Sequence, residues 1–140
     1  MSRMFTRLGL ASTAAIAGVA LVAVPASATT TIGTTTVAKA SSTHVKTGHT
    51  FTIGGAVRHG STGLAGQTVY LYERASSKAK WTKASNATKP HVSTDAKGHY
   101  VFSATGLKHG EQYEVVHPAQ TVNGKRYGRS VSKVITVAKA

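Results

Sequence analysis

Cysteine is absent from the 140-residue sequence. In an exported chain this excludes a disulfide framework, thiol chemistry and lipid attachment at a cleavage-site cysteine. Acidic residues are nearly as scarce. Glu73, Asp95, Glu111 and Glu114 are the only four, and Asp95 belongs to a turn sequence. No pair of carboxylates stands out for acid–base work and no Gly-x-Ser-x-Gly elbow is present, so the chain reads as non-catalytic. After Ala28 no apolar run approaches the roughly 20 residues of a membrane span. No stretch keeps apolar residues at helical spacing over three turns.

What is present begins with Arg3 and Arg7, an apolar run from Leu8 to Val24, and the small-x-small triplet Ala26-Ser27-Ala28. That order describes an export signal cut after Ala28. Gly9, Ser12, Thr13, Gly18 and Pro25 break the run and argue against a retained anchor. The expected organisation is a cleaved signal over residues 1–28, a lead-in with a first strand over 29–44, and a β-sandwich over 45–140. The signal contains two of the 17 basic residues and none of the four acids, so residues 29–140 carry 15 basic and 4 acidic groups, a formal charge of +11. Such an imbalance draws a protein toward polyanions. The expected location is extracellular, with loose retention at the cell wall and no membrane span after cleavage.

The remaining sequence is rich in Thr, Val, Gly and Ser, with short alternating segments between glycine turns. Strands are expected over Thr34–Ala40, Thr50–Arg58, Gln67–Arg74, Trp81–Ala87, His99–Thr105, Tyr113–His117 and Val131–Val137, with Gly60–Gly66 a loop and Asp95–Gly98 a tight turn. The expected fold is all-β, a single antiparallel sandwich of about seven strands. Its expected core is Phe51, Ile53, Val57, Val69, Leu71, Tyr100, Phe102, Leu107, Tyr113, Val115 and Ile135.

Three segments carry a family resemblance: Gly48 to Val57, Gly63 to Tyr72, and Thr94 to Phe102. Together they resemble bacterial immunoglobulin-like and prealbumin-like, carboxypeptidase-regulatory-like, extracellular modules. The resemblance implies that the first segment is a core strand, the second a loop delivering the next strand, and the third a hairpin turn whose Asp and Gly set the bend before an inward aromatic. It also implies a bacterial source and a role as spacer, adhesive unit or accessory binding domain, among which fold alone does not choose.

If Val69 and Leu71 point inward, period-two alternation sends Tyr70, Tyr72 and Arg74 to the opposite face. Trp81 lies on the adjoining strand, with Lys78, Lys80 and Lys83 around it. Aromatics flanked by cations suit sugar rings or an anionic polymer, and equally suit a lid of rings over a sheet face. A second basic cluster, Lys125, Arg126 and Arg129, precedes the last strand. His44, His49, His59, His91, His99, His109 and His117 lack ligand spacing, so neither a metal site nor a cofactor is expected and the histidines read as solvated turn residues. Their protonation below about pH 6 would add up to seven charges and strengthen binding to an anionic surface. The expected partner is an anionic cell-wall or extracellular polysaccharide. The alternative is a structural or protein-interaction module with a protein partner and no carbohydrate binding. Export argues against a physiological nucleic acid, although phosphate would satisfy the charge.

Overall fold

Period-two alternation produces the longest strands in the computed structural model, which describes residues 30–140. The expected leader, residues 1–28, lies outside the described residues. In chain order the strands are β1 Thr31–Ile32, β2 Thr35–Ala40, β3 His44–Val45, β4 Thr50–His59, β5 Thr62–Gly63, β6 Thr68–Arg74 and β7 Thr82–Lys83. They continue as β8 His91–Ser93, β9 His99–Thr105, β10 Glu111–His117, β11 Gln120–Val122, β12 Lys125–Tyr127, β13 Ser130–Val131 and β14 Ile135–Lys139. The described residues contain no helix, and so none long and apolar enough to cross a membrane.

The strands form three sheets. One has the order β9-β4-β2 with β5 on the end of β4; a second has the order β3-β14-β10-β6-β7, with β13 also on β10 and β8 on β6; the third is β11-β12-β1. Most pairs are antiparallel, but β12 with β1 and β14 with β3 are parallel. The fold is thus sandwich-like and all-β, and compatible with an immunoglobulin-like arrangement. The expectation of one seven-stranded antiparallel sandwich is corrected to fourteen strands in three sheets among the described residues. The physical reason is length: pairings of two or three residues are too short to display an alternation.

Individual boundaries shift for local reasons. The loop expected over Gly60–Gly66 includes β5, where Arg58 faces Gly63 and His59 faces Thr62 across a hairpin. Of the strand expected over Trp81–Ala87, only Thr82–Lys83 joins a ladder, with an isolated bridge from Ala87 to Ala104. The strand expected over Val131–Val137 divides into β13 and β14. Between them the Val115 N–H donates to Ser132 Oγ at 2.9 Å, so a side chain replaces a ladder carbonyl at the break.

The core lies between the first two sheets. Phe51, Ile53 and Val57 of β4 and Tyr100 and Phe102 of β9 meet Val69 and Leu71 of β6 and Tyr113 and Val115 of β10, all buried. Phe51 packs edge-on to Tyr113 at 5.7 Å between ring centroids, and Tyr100 to Phe102 at 5.6 Å. Two expected core residues, Leu107 and Ile135, are half-buried, and Val137 takes the buried place on the last strand. Gly55 is required here: a β-carbon would collide with the Val37 carbonyl, to which the Tyr100 hydroxyl donates at 2.6 Å. The Asp95–Gly98 turn forms as expected. Asp95 Oδ1 accepts from the N–H groups of Lys97 and His99 at 2.8 and 2.9 Å, and those backbone donors hold its carboxyl below the usual range.

Candidate functional site: the outer face of the second sheet

Burial alternates strictly along β6, with Val69, Leu71 and Glu73 buried and Tyr70, Tyr72 and Arg74 half-buried on the other side. Antiparallel register then assembles a surface. Val116, Glu114 and Gln112 of β10 stand opposite Tyr70, Tyr72 and Arg74, while His91 of β8 stands opposite Tyr70 and Lys83 of β7 opposite Tyr72.

Side-chain contacts fix this surface. The Arg74 guanidinium lies 4.2 Å from the centroid of the Trp81 ring, and its Nε–H donates to Gln112 Oε1 at 2.8 Å. Lys83 Nζ is 5.1 Å from the Tyr70 centroid, and the Tyr70 and His91 rings are 5.6 Å apart. Cation–aromatic pairs of this exposure contribute about 0.5–1 kcal/mol each. Beside them Tyr72, Trp81, Glu114, Val116, Pro118 and Arg129 line an open depression of about 380 Å³. Burial pushes the Glu114 carboxyl up, while the positive charges of Arg74 and Arg129 pull it back. A second depression, about 400 Å³, follows the edge of β2 and is lined by Thr35, Thr36, Val37, Ala38, Val131 and Lys133. It has neither an aromatic ring nor a carboxylate.

The structure therefore brings together Tyr70, Tyr72, Arg74, Trp81 and Lys83. Lys78 and Lys80 do not join them; both remain exposed in the loop between β6 and β7. The second basic cluster divides: Arg129 reaches the depression, whereas Lys125 and Arg126 are exposed on β12 in the third sheet. Sequence reasoning missed Gln112, Glu114 and Val116. Alternation with an inward Tyr113 and Val115 turns these neighbours outward, but only the register of β10 on β6 brings them to the face of Tyr72.

The histidines also require a correction. Six are exposed, but His117 is fully buried at the end of β10. Its Nε2–H donates to Gln67 Oε1 at 2.7 Å, and Nδ1 lies 3.3 Å from Thr34 Oγ1. The Thr34 hydroxyl donates to the Gly128 carbonyl at 2.8 Å, and Ser130 Oγ links Thr34 to Thr36 at 2.8 and 2.7 Å. Desolvation holds the imidazole below its usual range, opposed by backbone hydrogen bonds that include the Gly128 carbonyl. His117 is thus not one of the solvated turn histidines.

On the inner face, Glu73 and Glu111 flank Tyr113. Ser85 donates to Glu73 Oε1 from its backbone N–H at 3.2 Å and its hydroxyl at 3.0 Å, while Glu73 Oε2 has no hydrogen-bond partner among the described residues. Burial and the nearby Glu73 charge push the Glu111 carboxyl up, and His109, 3.3 Å away, opposes them. Burial takes the Tyr113 hydroxyl up to about 12. No group of three or more metal-ligating side chains converges among the described residues. Neither models of known protein families nor curated proteins match the chain.

Proposed function

We propose that this chain is an exported, non-catalytic binding module that holds anionic or carbohydrate polymers of the cell envelope on the outer face of the second sheet. The observation that carries the reading is the row of Tyr70, Tyr72 and Trp81, interleaved with Arg74, Lys83 and Arg129 beside an open depression. Rings supply flat apolar contact, and the surrounding cations supply attraction at long range. The family assignment, immunoglobulin-like or prealbumin-like, belongs to the same proposal. Its support is the placement of the three resembling segments, which become the central strand β4, the approach to β6, and the Asp95–Gly98 turn before the buried Tyr100. Export through residues 1–28 rests on the sequence pattern.

Sedimentation with purified cell-wall polysaccharide across a salt series tests the reading. Saturable binding should fall steeply with salt and fall again in Trp81→Ala and in Lys83→Glu. Absence of binding at physiological salt would overturn it. A second reading, a protein-interaction module, is favoured by the opposite sheet, where Val37 and Val101 are 40% and 60% exposed on either side of β4. Capture of a discrete protein that is lost in Val101→Lys and retained in Trp81→Ala would favour it.

A further inference from the structure

We infer that the depression between Tyr72, Trp81, Glu114 and Arg129 is a subsite for one neutral, hydroxyl-rich sugar ring, with Glu114 accepting hydrogen bonds from ring hydroxyls and the aromatic rings covering a C–H face. The inference rests on the proposed function and deepens it by separating the neutral from the anionic ligand chemistry.

The separation comes from what each charged side chain has left to offer. Arg74 spends its Nε–H on Gln112, lays its plane over the indole, and sets its positive charge against the Glu114 carboxylate. Arg129 is the cation that lines the depression, and Glu114 lines it too. A carboxylate can only accept hydrogen bonds, so it welcomes hydroxyl donors and repels phosphate or carboxylate. A polyanion seated in the depression meets the Glu114 charge beside that of Arg129, and exposed cations such as Lys78, Lys80, Lys125 and Arg126 offer it other contacts. Val116 and Pro118 complete an apolar wall beside Tyr72 and Trp81. A volume of about 380 Å³ is at the small end of ligand sites, which run roughly 300–1,000 Å³, and suits one ring of a chain rather than several.

The chain contains one tryptophan, so its fluorescence reports this depression directly. The full chain is titrated, by emission, with neutral tetrasaccharides of glucose, galactose, mannose and N-acetylglucosamine, and separately, by calorimetry, with polyphosphate, at 0.15 M and 1 M salt. At least one neutral tetrasaccharide should change the emission saturably and keep its affinity at 1 M salt, whereas polyphosphate affinity should collapse there. Glu114→Gln should weaken the sugar about tenfold, the scale of a lost charge-assisted hydrogen bond, and strengthen polyphosphate. Opposite signs from one substitution exclude a general loss of structure, and an unchanged melting temperature serves as a second control. If polyphosphate binds but no neutral sugar does, or if the sugar ignores Glu114→Gln, the subsite assignment is overturned while the envelope-binding reading stands. If neither class binds, both are overturned.

Discussion

Replacing His117 by glutamine should remove a defined part of the acid sensitivity of the fold. His117 is fully buried, its hydrogen-bond partners are uncharged, and desolvation lowers its affinity for a proton. In the unfolded chain the same imidazole takes up a proton near pH 6.5. The folded value is the lower of the two, so the stabilisation is complete above about pH 6.5 and is lost as pH falls from there toward the folded value. In that interval one extra proton is bound on unfolding, which sets a slope of at most about 1.4 kcal/mol per pH unit. For a domain of this size each kcal/mol moves the melting temperature by about 4–8 °C. Glutamine does not titrate and can still pair with Gln67. The assay is thermal denaturation of the wild type and His117→Gln at half-unit steps from pH 7.5 to 5.5. Glu111 and Glu114 have raised values and act in the opposite sense, gaining stability as pH falls, but they are common to both proteins and cancel in the difference. The wild type should lose several degrees over the range relative to the variant. Parallel curves would refute the reasoning.

Leu71→Ala, at a fully buried position, should cost about 2–5 kcal/mol by urea denaturation with an unchanged slope. Gly98→Ala should destabilise by more than about 1 kcal/mol, because φ is 83° there and a β-carbon would lie 2.5 Å from the Leu64 nitrogen. Arg74→Ala should alter the tryptophan emission with no ligand present, since the guanidinium covers the only indole.

The elements that could be read from the sequence were those in which one physical signal repeats. Phe51, Ile53 and Val57, then Val69 and Leu71, then Tyr100 and Phe102 alternate over six or more residues, and these strands form with the expected faces inward. The same alternation put Tyr70, Tyr72 and Arg74 on one surface. Pairing between strands has no comparable local signal. Nothing in the run from Glu111 to Val116 says that Glu114 stands opposite Tyr72, since that follows from the β6–β10 register. His117 and Gln67 are separated by 50 residues, so their buried hydrogen bond was invisible until the sheets were packed. Lysines between β6 and β7 were grouped with Trp81 by proximity in sequence, yet Lys78 and Lys80 are exposed in a loop outside the ladder that holds Lys83.

The parallel pairings at the two ends of the fold bear on how fast it assembles. Thr31 pairs with Arg126, His44 pairs with Ala138, and the hydrogen bond between Thr34 and Ser130 spans 96 residues. Contacts of this range form only after most of the chain has been gathered, which places all-β folds of this kind among slow two-state folders, in the millisecond-to-second range. Because β1 closes against β12, the third sheet cannot be completed until the chain through Tyr127 is in place.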